Sequence, residues 1–156
     1  MNLTRVAVYR RSVRAPLARV WENVLDWEHL PWLHRSTFSS IALLDAGAWG
    51  WRARIGLQPA EPRREIVLEL RLDRSDRRYV SRTTGGPGAG TEIWTTLTPD
   101  GDRSTRIDVA FDVPGVALAD AGDVGRGYVP LYTRLWNEDL RSTLTYAFRR
   151  NELDDV

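Results

Sequence analysis

From Phe38 to Val113 apolar and polar residues alternate with period two, in segments broken by clusters of Gly, Pro and Asp. Successive side chains of a strand point to opposite faces, so this pattern predicts a run of strands, each with one buried face. The segments are Phe38 to Asp45, Trp49 to Leu57, Glu65 to Leu72, Tyr79 to Thr84, Glu92 to Thr98 and Thr105 to Val113. Alternation is clearest at Ile66, Leu68 and Leu70 and at Ile107, Val109 and Phe111. Turn residues at Asp73 to Arg77 and Pro99 to Asp102 suit hairpins, which makes the sheet antiparallel. The stretch Gly85-Gly86-Pro87-Gly88-Ala89-Gly90 matches a phosphate loop only in glycine content. Without the lysine and the following helix, it reads as a hairpin tip.

Helical spacing flanks the strands. Leu3 to Arg14 reads as a first strand, after which Pro16 opens a helix whose apolar face is Leu17, Val20, Trp21, Val24 and Leu25. Pro31 interrupts the next stretch, so Trp27 to Arg35 reads as a short, broken second helix. After a loop from Pro114 to Gly127, a long helix is predicted from about Tyr128 to Arg150. At about 100° per residue, Tyr132, Leu135, Trp136, Asp139, Thr143 and Tyr146 share one side, and Arg134, Glu138, Arg141, Thr145 and Arg149 another. Arg134 and Glu138 have ion-pair spacing, so Glu138 reads as a solvated residue. Asp139, a carboxylate on an aromatic face, needs a partner: a metal ion, a hydrogen-bond donor, or an arginine such as Arg52 or Arg54.

Composition narrows the function classes. A chain of 156 residues suits one domain with a proper core. All 22 basic residues are arginine, interleaved with 21 acids, so no basic stripe for nucleic acid forms. No apolar run has signal-peptide or membrane length, and a soluble cytoplasmic protein is expected. With no cysteine, thiol catalysis, zinc-thiolate sites, disulfides and an iron-sulfur cluster held within the chain are excluded. There is no Gly-x-Ser-x-Gly elbow for a nucleophilic hydrolase. Seven tryptophans and five tyrosines supply large rings for a core or for a ligand cavity. The cavity candidates are Trp21, Trp32, Trp49, Trp51, Trp94, Tyr132 and Trp136.

The only two histidines, His29 and His34, sit five residues apart, with Asp26 three residues before the first. Two imidazoles and a carboxylate are a donor set for mononuclear non-haem iron. On an uninterrupted helix, positions five apart point about 140° away from each other, and Pro31 is placed to break that regularity.

The order strand, two short helices, antiparallel strands and long final helix resembles the helix-grip fold of the START and birch-pollen-allergen superfamily. That resemblance implies an α+β domain whose curved sheet wraps around the final helix and encloses a hydrophobic cavity. Asp26, His29 and His34 also resemble the Asp-x2-His-x4-His motif of ring-hydroxylating oxygenase catalytic domains of the Rieske type, with Trp32 matching an aromatic often seen inside it. By that resemblance His29, His34 and Asp139 would ligate Fe(II), and Asp26 would orient a histidine. A Rieske cluster needs cysteines, so electrons would have to come from a partner protein. Two functions are therefore expected: an iron-dependent enzyme acting on an aromatic or polyketide-like substrate, or a metal-free carrier or cyclase-type protein for a hydrophobic ligand, in which the same polar groups position the ligand or move protons.

Overall fold

The computed structural model describes residues 2–154, with side chains from 2 to 141. Strand β1 (Leu3–Val13) leads into helix α1 (Leu17–Leu25), and Pro16 caps the helix in extended conformation. A 3-10 turn (Trp27–His29) and the four-residue helix α2 (Leu30–Leu33) follow. Six strands come next: β2 (Phe38–Gly47), β3 (Gly50–Leu57), β4 (Glu65–Asp73), β5 (Arg78–Gly85), β6 (Glu92–Pro99) and β7 (Thr105–Pro114). All six expected strands form, with ends that differ by one or two residues. The expected loop between β7 and the final helix contains a 3-10 turn (Leu118–Asp120) and a short helix, α3 (Ala121–Gly125), before α4 (Tyr128–Asp154). Tight packing seats α3, since a Cβ on Gly125 would lie 1.9 Å from the Val6 carbonyl oxygen. No helix among the described residues is long and apolar enough to cross a membrane.

The strands make one antiparallel sheet in the order β1-β7-β6-β5-β4-β3-β2, so the first strand pairs with the last. Alternation decides its faces. In β7, Thr105, Ile107, Val109 and Phe111 are buried, and their pairing carries the same face through Thr95 and Leu97 of β6 and Tyr9 of β1. Trp51, Ala53 and Ile55 of β3 lie on it too, opposite Leu70, Leu68 and Ile66 of β4. Val20 and Val24 of α1 and Trp136 of α4 belong to the same core cluster. Each large apolar side chain so buried stabilises the fold by roughly 1.5–3 kcal/mol.

Two buried polar links fix the corners of this layer. The Trp51 indole donates to the Val24 carbonyl at 3.2 Å, and the Thr105 hydroxyl donates to the Ala15 carbonyl at 2.8 Å. Gly50, which places Trp51, has φ 135°, and a Cβ there would meet the Leu70 carbonyl oxygen at 1.9 Å. Only glycine fits that approach.

Candidate functional site

Three elements converge beneath the sheet. Helix α1 ends at Asp26, whose N–H bonds the Glu22 and Asn23 carbonyls at 3.1 and 3.2 Å. His29 closes the 3-10 turn and His34 caps the C-terminus of α2. Pro31 sits in the first turn of α2, where its missing N–H is tolerated. The break expected at Pro31 thus falls on either side of it, in the 3-10 turn and at His34, which leaves the helical region with φ −107° and ψ 44°. The chain then tightens, with the Thr37 and Phe38 N–H groups both bonding the His34 carbonyl at 2.9 Å. These departures bring the two rings edge to face, with centroids 5.2 Å apart.

Asp139 reaches them from α4. Its Oδ1 lies 2.9 Å from His34 Nε2 and 3.4 Å from His29 Nε2. His34 and Asp139 are buried, at 2 % and 8 % exposure. Burial by itself would raise the Asp139 carboxyl, but hydrogen bonds and charge from His29 and His34 hold it below its ordinary value. Burial likewise opposes charge on His34, yet Asp139 and then Glu138 outweigh it and raise the imidazole.

Glu138 is not the purely solvated residue that helical counting suggests. Its Oε1 lies 3.4 Å from His34 Nδ1 and accepts from the Ser36 hydroxyl at 3.5 Å. Ionised carboxylates only accept hydrogen bonds, so bonding to Glu138 and Asp139 at once requires a proton on each nitrogen of the ring. Adjacent residues of α4 differ by about 100° in direction, which lets the two acids approach one ring from two sides.

Arg52 is exposed and Arg54 faces Glu65 at 3.5 Å, so Asp139 finds its partners in the histidines. The Asp26 side chain, expected to orient a histidine, is exposed at the end of α1, and His29 Nδ1 is buried with no hydrogen-bond partner among the described residues. The acid that touches the far nitrogen of a histidine is Glu138.

A cavity of about 130 Å³ opens beside this cluster. Of the seven rings proposed from sequence, Trp51, Tyr132 and Trp136 line it. The others lie elsewhere. Trp21 packs edge-on against Tyr79 with centroids 6.2 Å apart, and Trp32 is 70 % exposed. Trp49 lies under Arg71, and Trp94 lies under Arg78 and Arg82. Asn23, Phe38, Tyr79 and Ser81 line the cavity without having been singled out. Tyr79 and Ser81 were legible as one face of a strand. Burial pushes the Tyr79 and Tyr132 hydroxyls well above their ordinary range, so both are neutral donors. The core side of Tyr132 is fixed by Phe111, 4.7 Å away between centroids.

His29, His34 and Asp139 are the residues that could hold a metal: ligands about 2.1 Å from one ion stand on the order of 3 Å apart, and one donor atom from each of the three lies within 4.8 Å of the others. Glu138 behind His34 adds the carboxylate that ligating histidines usually have.

Residues 5–144 match the family model described as polyketide cyclase/dehydrase and lipid transport. The chain belongs to that family. Its fold is shared with several solved structures. Zhui aromatase/cyclase from Streptomyces sp. R1128 is 18 % identical, with 95 % of each chain covered and a TM-score of 0.66. A START superfamily protein from Mycobacterium smegmatis is 13 % identical, with 90 % of this chain and 99 % of that one covered and a TM-score of 0.71. Norcoclaurine synthase from Thalictrum flavum, in complex with dopamine and hydroxybenzaldehyde, is 16 % identical over 92 % of this chain and 89 % of that one, with a TM-score of 0.65. No curated protein matches this chain significantly. The helix-grip architecture expected from the order of elements is the one found, and a family described by polyketide cyclisation and lipid transport implies hydrophobic-ligand binding.

Proposed function

We propose that this protein binds a hydrophobic, aromatic or polyketide-like molecule between the sheet and α4, and acts on it as a cyclase- or aromatase-type protein without a metal. The observation that carries this reading is the buried pair of His34 and Asp139, 2.9 Å apart, at the edge of a cavity walled by Trp51, Leu70, Tyr132 and Trp136. A ligand oxygen beside His34 Nε2 would accept the ring's proton. Asp139 and Glu138 would stabilise the charged ring before transfer, and the surrounding rings would keep water away from the exchange. Membership of a family described by polyketide cyclisation and lipid transport supports the same class of ligand. Organic extraction of the purified protein, followed by mass spectrometry, tests it. An aromatic or polyketide-like compound released in stoichiometric amount is the expected result. Protein that carries nothing and binds no aromatic compound contradicts it.

A second reading is favoured by the three donors within 4.8 Å of one another. His29, His34 and Asp139 would hold Fe(II), as the resemblance to ring-hydroxylating oxygenase catalytic domains implies, and Asp26 would be the accompanying acid. Bound iron would supply oxygen activation, with electrons from a partner protein because the chain has no cysteine. Elemental analysis before and after anaerobic incubation with Fe(II), with His34→Ala as control, separates the readings. Stoichiometric iron that disappears in the variant supports the metal reading, and no iron under either condition contradicts it.

A further inference from the structure

We infer that the ligand of this cavity is a compact aromatic molecule, one ring in size and carrying a hydroxyl group, and this rests on the cavity being a ligand site as proposed above. The first argument is volume. A cavity of about 150 Å³ holds a benzene ring, whereas pockets for drug-sized ligands run to roughly 300–1,000 Å³. At about 130 Å³, this one is on the scale of a single ring and well below that range.

Part of the wall that sets this volume belongs to the core. Trp51 is 3 % exposed and tied to the Val24 carbonyl, and Trp136 is 6 % exposed. Tyr132 is wedged between Phe111 and Tyr9, with centroids 4.7 and 6.3 Å away. Making room for a second fused ring means displacing side chains that hold the sheet to its helices, at a cost typical of overpacking.

The second argument is polarity. One end of the cavity presents His34 with a carboxylate on each side, Asp139 at 2.9 Å and Glu138 at 3.4 Å. A carboxylate ligand would meet two acids there. A hydroxyl adds no charge and can both donate to Asp139 and accept from the imidazole. His29 lines the same end, and its Nδ1 has no hydrogen-bond partner among the described residues.

The test is a chemical-shift titration of the two histidine rings with phenol, toluene, 2-naphthol and 9-phenanthrol. Apolar burial alone would make the larger compounds bind more tightly, so the expected order runs against that default. Phenol should shift both rings saturably, and 2-naphthol and 9-phenanthrol should bind about tenfold more weakly or not at all. Toluene, without the hydroxyl, should bind more weakly than phenol. In Leu68→Ala, which removes a half-buried wall residue of β4, 2-naphthol should gain affinity relative to phenol. The wild-type series decides the matter if that variant does not fold. Larger compounds that bind as tightly as phenol overturn the size limit and leave the ligand site standing. Toluene that binds as tightly as phenol overturns the requirement for a hydroxyl. If none of the four binds, both this inference and the reading beneath it fall.

Discussion

Trp51 and Trp94 lie on opposite faces of the same sheet, and their surroundings differ in kind. Trp51 faces α1 and α4, is 3 % exposed, and forms part of the cavity wall beside Leu70 and Trp136. Trp94 faces outward between Val80 and Ala110 on the neighbouring strands, with Arg78 5.0 Å and Arg82 5.7 Å from its ring. Those arginines are themselves held by acids, Arg78 by Asp73 and Arg82 by Glu92. One face is therefore an apolar lining with a small polar cluster, and the other is a lattice of ion pairs draped over rings. The presence of tryptophan does not mark a cavity; what lies across from it does.

The sharpest way to break this comparison is truncation of both rings. Trp51→Ala should destabilise the protein by about 3–5 kcal/mol, whereas Trp94→Ala should cost about 1 kcal/mol or less, as expected for a stacked surface ring. Equal shifts in urea unfolding midpoint would show that the two faces do not differ in this way. Asp139→Ala comes next, at about 3 kcal/mol, because it leaves the buried His34 ring with one acid in place of two.

Proton linkage sharpens the difference further. The raised His34 imidazole contributes stability that is fully present below its ordinary value of 6.5 and is lost as pH rises through its folded value. The lowered Asp139 carboxyl contributes stability that is present above its ordinary value of 3.8 and is lost as pH falls through its folded value. The pair should therefore stabilise the fold most between these ordinary values, and Asp139→Asn should flatten that part of the pH profile. An unchanged profile in the variant would contradict the coupling. Glu138→Gln should have a smaller effect, about 1 kcal/mol, and should lower the His34 titration midpoint less than Asp139→Asn does. Arg78→Ala, on the outer face, should change stability by about 0.5 kcal/mol.

Much of the fold was legible because it follows from local periodicity. The period-two segments from Phe38 to Val113 formed all six expected strands, and Pro16 marked the start of α1. The short helix at Ala121–Gly125 was not legible, since it depends on a close approach to Val6 that no local pattern records. The grouping of His29, His34 and Asp139 was an implication of the resemblance to ring-hydroxylating oxygenase catalytic domains, and the structure places one donor atom of each within 4.8 Å of the others. Glu138 was missed because position 138 falls with Arg134 and Arg141 on the polar side, and counting along α4 says nothing about where α2 lies. Asp26 has an orienting role only by the same resemblance, and the end of α1 leaves its side chain exposed. The tryptophans show the same limit: sequence makes Trp51 and Trp94 candidates for one cavity, and only pairing across the sheet puts them on opposite faces. Thr143 and Tyr146, placed on the aromatic face of α4, lie outside the described side chains.

The most direct test of a proton-handling cluster on an apolar cavity is a long-range proton–nitrogen correlation spectrum of the two histidine rings, recorded in wild type and in Asp139→Asn. The account expects wild-type His34 to keep a proton on both nitrogens above pH 6.5, the ordinary value for histidine, and to lose one of them in the variant. A wild-type His34 ring that is neutral at that pH, with the same spectrum in both proteins, would contradict it.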